Sequence, residues 1–216
     1  MLNCDIKHIK KEWKEKEMRI GIDIDGVLTN MEQFLIDHLS KYCVENNIKF
    51  NIGISSYQVS NSFNITNEQE DDFWNEYLEN YATNEKARPF AAEIIKRLKE
   101  DGNEIYIITA RWLTNRDDDI GDNMRKIVKD WLIKNKIVYD KLIFSKAEKE
   151  NKLQEIIDNK IDLMIEDNPN NINQLSSVVP IICYNTGYNR ECIGDKITRC
   201  YSWYDIYRTI QNIKDI

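Results

Sequence analysis

The residues best suited to chemistry stand in GIDIDGVLTN, positions 21–30, where Asp23 and Asp25 lie two apart at the end of an apolar run. Along MRIGIDID, Ile20, Ile22 and Ile24 alternate with Gly21, Asp23 and Asp25, so a strand of period two sends both carboxylates to one side. Gly26 then permits a sharp turn. Two close carboxylates raise one another's pKa, and burying them is costly without a cation or donors to offset the charge. Hard oxygen ligands of this kind suit Mg²⁺, which takes one or two protein carboxylates and leaves room for waters and phosphate oxygens. A strand-end turn that uses Asp for local hydrogen bonding would be written with the same residues.

Two further strand ends carry polar groups. EIYIITAR closes with Thr109, Ala110 and Arg111: a hydroxyl, free backbone amides and a guanidinium that suit phosphate oxygens. For Arg111 the alternative is a structural salt bridge. IDLMIEDNPNN closes with Glu166 and Asp167 and turns into a helix. In an open parallel sheet the carboxyl ends of neighbouring strands line one crevice, so Asp23, Thr109 and Asp167 are expected to share an edge. Helix capping would explain Glu166 and Asp167 alone, but three such strand ends in order would then be coincidence.

The elements that must position these groups follow an α/β rhythm from residue 86 onward. RPFAAEIIKRLKEDG predicts a helix closed by Gly102, followed by a strand over 104–110, a helix over 119–136 and a strand over 141–145. A helix over 151–159, a strand over 161–167, a short helix after Pro169 and a strand over 178–184 continue the pattern, and SWYDIYRTIQNIKDI closes it as an amphipathic helix. Strands apolar on both faces belong to a doubly wound parallel sheet covered by helices. Residues 30–86 break the rhythm with two helical stretches, a polar middle and no buried strand. They are expected to form a helical cap inserted after the first strand. The chain thus divides into an N-terminal extension (1–17), an α/β core (18–29 and 87–216) and the cap (30–86). The cap's second helix opens with Thr66 and Gln69 at capping-box spacing and carries Phe73, Trp74, Tyr77, Leu78 and Tyr81 at helical offsets. That stripe either packs the cap's own core or lends an aromatic to a base or sugar.

The 216 residues, 42% hydrophobic and 31% charged, suit one domain with an insertion. No apolar run approaches the roughly 18–20 residues of a membrane span, and the charged N-terminus lacks a signal peptide's apolar stretch, so a cytoplasmic protein away from membranes is expected. Cys4, Cys43, Cys183, Cys192 and Cys200 are odd in number and lack CxxC spacing, which fits reduced thiols. In that compartment the sequon at Asn64-Ile65-Thr66 reads as a helix cap. A net charge of −7 with scattered Lys and Arg argues against polymer nucleic acid as partner. A bound Mg²⁺ and a few donors still suffice for a small phosphorylated metabolite. Asp117, Asp118 and Asp119 read as a solvated loop or an N-cap rather than a metal site, and no GxxxxGK loop is present. Oligomeric state and base preference are left open.

Taken in order, DIDGVLTN, TAR after an apolar strand, a Lys, and IEDNP make the chain resemble the haloacid dehalogenase superfamily of phosphohydrolases over about residues 18–185. Within it the chain looks most like the 5′(3′)-deoxyribonucleotidase group and its bacterial nucleotidase relatives. DIDGVLTN, RPFAAEIIKRL leading into IYIITAR, KLQEIIDNKIDLMIEDNP and the following YNTGYN carry that likeness. The resemblance implies that Asp23 is a nucleophile forming an aspartyl-phosphate and that Asp25 is general acid and base, roles that carboxyl groups fill elsewhere. It implies Mg²⁺ held by the Asp23 carboxylate, the Asp25 backbone carbonyl and Asp167, with Glu166 assisting where relatives carry a second Asp. It also implies a lysine beside the nucleophile: Lys152 is the first choice in SKAEKENKLQ, Lys146 the second, on the phosphate side with Thr109, Ala110 and Arg111, and Lys149 is also at hand. The implied activity is Mg²⁺-dependent hydrolysis of a phosphate monoester, with a (deoxy)nucleoside 5′-monophosphate as the favoured substrate. A sugar phosphate is the enzymatic alternative, and a catalytically silent phosphate-binding module the non-enzymatic one.

Overall fold

Short apolar runs return repeatedly to one sheet because strands apolar on both faces are stable only when covered on both. The computed structural model describes residues 17–145 and 152–214. Six strands, β1 (Arg19–Ile22), β2 (Glu104–Thr109), β3 (Lys141–Phe144), β4 (Leu163–Glu166), β5 (Ile181–Tyr184) and β6 (Ile197–Cys200), form one sheet. Every pairing is parallel and the order is β3-β2-β1-β4-β5-β6. The expected doubly wound α/β fold is the fold found. Strand order reverses at β1, so the crevice lies outside the carboxyl ends of β1, β2 and β4.

Helices cover both faces. One face packs Ile94, Leu98, Trp131 and Trp203, and the other packs Ile156, Ile172 and Leu175. The helices concerned are α5 (Ala91–Glu100), α6 (Asp119–Lys134), α7 (Leu153–Asp158), α8 (Pro169–Leu175) and α9 (Trp203–Lys214). Between β1 and β2, α1 (Met31–Phe34) runs through a π-helical turn (Leu35–Leu39) into α2 (Ser40–Glu45), and α3 (Val59–Phe63) and α4 (Asn67–Asn84) follow. These inserted helices enclose a core of their own that includes Phe34, Leu39, Phe63, Phe73 and Tyr77. The insert is held to the sheet where Gly187 N donates to Glu32 Oε2 at 2.6 Å. A Cβ at Gly187 would stand 2.7 Å from Ile54 O, so a side chain there would push the insert away.

Several boundaries differ from those expected. β5 starts at Ile181 rather than 178 because Pro180 has no N–H for a ladder and serves only as an acceptor, for Met164 N. β6 escaped the sequence reading: ITRC is four residues long and half polar. Asp118 caps α6, accepting from Gly121 N at 3.0 Å, so the acidic run is a cap. Cys43, Cys183, Cys192 and Cys200 are buried free thiols. Among the described residues no helix is long and apolar enough to cross a membrane. The N-terminal extension, apart from Glu17, and Lys146 and Lys149 lie outside the described residues.

Thr66 forms the capping box its spacing predicted: Thr66 Oγ1 accepts from Gln69 N at 3.2 Å and Gln69 Oε1 accepts from Thr66 N at 3.0 Å. Thr66→Ala is expected to destabilise the protein by about 1 kcal/mol, read as a lower midpoint in thermal unfolding. An unchanged midpoint would show that tertiary packing alone holds the start of α4.

Candidate active site

Beyond the last residue of β1 the backbone stays pinned to β4, since Asp23 N donates to Ile165 O at 3.1 Å. Gly26 then turns the chain at φ +86°, where a side chain is disfavoured. Leu28 N and Thr29 N both donate to Ile24 O. Arg88 ties the turn shut: Nε donates to Gly26 O and Thr29 O, Nη2 also reaches Gly26 O, and the guanidinium lies over the Tyr184 ring. Because the strand ends before Asp23 and the chain turns at Gly26, the two aspartates meet different partners. Asp23 faces Lys152, Glu166 and Asp167, whereas Asp25 faces Arg111 and Tyr81.

Lys152, the residue preferred from sequence, is buried and its Nζ stands 2.6 Å from Asp23 Oδ1 and 2.8 Å from Glu166 Oε2. Glu166 has its oxygens occupied. Oε1 accepts from Asp167 N and Asn168 N at 3.1 Å each, and Oε2 accepts from Lys152 and, at 3.3 Å, from Asn171 Nδ2. Asp167 is different: Oδ2 accepts from the Tyr188 hydroxyl, the main-chain oxygen accepts from Asn189 Nδ2, and Oδ1 is buried without a partner among the described residues.

Ligand oxygens of Asp23, Glu166 and Asp167 all lie within 4.8 Å of one another. Among the described residues, three buried carboxylates thus share one ammonium. Burial pushes Asp23 up to about 8 against the pull of Lys152, and burial with Glu166 and Asp23 raises Asp167 well above the usual carboxylate range. Burial lowers the Lys152 pKa, but Asp23 and Glu166 outweigh it and hold the ammonium charged. An all-oxygen donor set with surplus buried negative charge and one orphaned carboxylate oxygen fits a hard divalent cation.

The opposite wall comes from the end of β2. Thr109 is fully buried and its Oγ1 accepts from Arg111 N at 3.2 Å. Ala110 and Arg111 line a cavity of about 500 Å³ together with Asp25, Trp74, Leu78, Tyr81 and Trp112, a size suited to a small ligand. Arg111 Nε lies 3.1 Å from both Asp25 oxygens and Nη2 lies 2.5 Å from Oδ1, while Nη1 is buried without a partner among the described residues. The salt bridge weighed for Arg111 therefore exists, and it falls on Asp25.

The aromatic stripe of α4 packs the insert's core, and part of it also lines the cavity. Phe73 and Tyr77 pack the insert's core, while Trp74, Leu78 and Tyr81 reach the cavity. The sequence named Tyr81 only as one member of the aromatic stripe and did not point to Tyr188 as a site residue. Tyr81 shares its stripe with a second tyrosine, Tyr77, so no local signal singled it out, and Tyr188 lay in YNTGYN, whose partner Asp167 is 21 residues away.

Residues 16–216 match the sequence model of the family described as 5′ nucleotidase, deoxy (Pyrimidine), cytosolic type C protein. The chain belongs to this family. The nucleotidase-family chain is accordingly a hydrolase of phosphoric monoesters. A nucleotidase of Clostridium acetobutylicum is 27% identical over 202 residues, which are 92% of this chain and 96% of that relative. The fold is shared with a haloacid dehalogenase-like hydrolase from Streptococcus pneumoniae, at a TM-score of 0.59 and 13% identity, over 90% of this chain and 99% of that one. It is shared as well with the D,D-heptose 1.7-bisphosphate phosphatase from B. bronchiseptica complexed with magnesium and phosphate, at a TM-score of 0.52 and 11% identity, over 91% and 99% of the two chains.

Proposed function

We propose that this nucleotidase-family chain is a Mg²⁺-dependent phosphomonoesterase that forms an aspartyl-phosphate on Asp23 and hydrolyses (deoxy)nucleoside 5′-monophosphates. The observation that carries the reading is the buried trio of Asp23, Lys152 and Asp167, with Asp167 Oδ1 unpaired beside the candidate nucleophile. Residues 30–86 act as the cap, and a cavity with aromatic walls suits a base and sugar better than a small polyol. The cytoplasm is the proposed location, consistent with the reduced thiols.

Asp23 and Asp167 would hold Mg²⁺ with the Asp25 backbone carbonyl, and Glu166, whose oxygens are taken, would support Lys152 and the backbone of Asp167. When bound, Mg²⁺ neutralises charge on the phosphoryl oxygens and orients them. An Asp23 carboxylate oxygen attacks phosphorus, the bond to the leaving oxygen breaks with its electron pair, and Asp25 supplies the proton that oxygen needs. Asp25 then takes a proton from water, whose oxygen attacks the aspartyl-phosphate, releasing phosphate and restoring Asp23. Lys152 fixes the Asp23 carboxylate, and Thr109, the Ala110 amide and Arg111 receive the phosphoryl oxygens, the buried Arg111 Nη1 being an unspent donor. Lys152 fills the place for which Lys146 was the second choice.

The test is phosphate release from nucleoside and sugar monophosphates, with Mg²⁺ and with a chelator. Turnover of nucleoside monophosphates that stops on chelation is the expected result. Turnover of sugar phosphates alone would replace the substrate, and binding without turnover would overturn the enzymatic reading.

A further inference from the structure

Tyr81 reaches from α4 to the carboxyl group that the proposed reaction asks both to give and to take a proton. Its hydroxyl lies 2.9 Å from Asp25 Oδ1 and 2.6 Å from Thr29 Oγ1, and Thr29 Oγ1 lies 3.1 Å from Ile24 O. Tyr81 is 2% exposed and Thr29 fully buried, so bulk water does not compete. Two hydroxyl protons serve three contacts, and because hydroxyls rotate they have two arrangements. With a carboxylate at Asp25, Tyr81 donates to Asp25 and Thr29 donates to Tyr81. With a proton on Asp25, the direction reverses: Asp25 donates to Tyr81, Tyr81 to Thr29 and Thr29 to Ile24 O. Ile24 O tolerates the loss of Thr29's hydroxyl in the first arrangement because Leu28 N and Thr29 N already donate to it at 2.9 and 3.0 Å. Asp25 keeps its partner in both, and Tyr81 never surrenders its proton.

We propose that Tyr81 and Thr29 are positioning residues, a pair of rotating hydroxyls that keeps Asp25 aimed through both halves of the reaction. The inference rests on the acid–base reading of Asp25 given above. Arg111 grips the same carboxyl group, but a guanidinium only donates, so it offers no acceptor for the proton of the acid form, whereas the hydroxyl pair answers to both forms. When the bond from phosphorus to the leaving oxygen breaks, the proton passes from Asp25 to that oxygen and its electron pair stays on Asp25. Tyr81 then turns from Thr29 to the new carboxylate. Trp74 and Leu78 share the cavity wall with Tyr81 on the same helix.

Tyr81→Phe removes the hydroxyl and keeps the ring, which packs 4.8 Å from Phe34 and 5.9 Å from Trp74 between centroids. Single-turnover rates of leaving-group release, which report the first half of the reaction alone, would be compared for a nucleoside 5′-monophosphate, whose alkoxide leaves only with a proton, and p-nitrophenyl phosphate, whose phenolate leaves without one. Tyr81→Phe is expected to slow the nucleotide about 10- to 100-fold and the nitrophenyl ester less than about threefold. Thr29→Val should show the same split more weakly, and it carries the test if Tyr81→Phe does not fold. Equal slowing of both esters would overturn the proposal, since a merely structural role moves both. Asp25→Asn run alongside separates the two ideas. A split there without one at Tyr81→Phe sinks the hydroxyl pair alone, and no split at Asp25→Asn sinks the acid role together with it.

Discussion

Asp23→Asn is expected to lower phosphate release by at least about 10³-fold, because removal of a nucleophile leaves only binding and electrostatic contributions to the rate. The substitution keeps the size of the side chain, and Asp23 N would still pair with Ile165 O. Stability should move the other way. In the metal-free protein Asp23 stands among carboxylates with one ammonium between them, and burial already pushes its pKa up to about 8. An amide in its place avoids the cost of burying a carboxyl that ionises freely in the unfolded chain, so the melting temperature without Mg²⁺ at neutral pH should equal or exceed that of the parent. Added Mg²⁺ should stabilise the variant less than the parent, since ligand-induced stabilisation tracks affinity. Phosphate release and thermal unfolding, each with and without Mg²⁺, check both halves. Residual turnover within about tenfold of the parent would remove Asp23 from the role of nucleophile.

Gly26→Ala should be the most damaging single-methyl change near the site. Gly26 sits at φ +86°, and a Cβ there would lie 1.9 Å from Asp167 Oδ2 and 2.8 Å from the Tyr188 hydroxyl oxygen. Asp167 has little room to retreat: Tyr188 holds its carboxylate and Asn189 holds its main-chain oxygen. Left-handed strain and overpacking together predict a loss of about 2–4 kcal/mol. Displacing Asp167 should weaken Mg²⁺ binding and reduce turnover by about 10²-fold, the scale expected when a positioning contact shifts by about an ångström. Thermal unfolding gives the first and a Mg²⁺ titration of activity the second. A variant with parental stability and Mg²⁺ dependence would show that the turn relaxes without moving Asp167.

The strands that carry the site were legible because alternation and doubly apolar runs are local properties of the chain. EIYIIT and LMIE each announce a buried strand, and the polar residues just past them announce a site edge. Thr66 with Gln69 and Asp118 before α6 were legible as caps for the same reason: donor and acceptor stand three residues apart. β6 was missed because ITRC is too short and too polar to show a period, and it exists through pairing with β5.

By itself, then, the sequence determined the α/β rhythm, the interruption by helices between β1 and β2, and the set of acids, hydroxyl and lysine that gather at the sheet edge. The rhythm, the interruption, the acids and the hydroxyl follow from periodicity and residue chemistry, which each segment carries alone, and the lysine from the family resemblance. Only the tertiary structure decided how the charges are shared out. Asp23 is paired with Lys152 and Asp25 with Arg111, Glu166 is saturated while Asp167 keeps an oxygen free, and Tyr81 from the insert closes on Asp25. Such pairings depend on where the turn at Gly26 aims each side chain and on contacts spanning 56 residues for Tyr81 and 86 for Arg111. Hydrogen bonding and desolvation act across space at a few ångströms, and the folded sheet alone brings those partners within that reach.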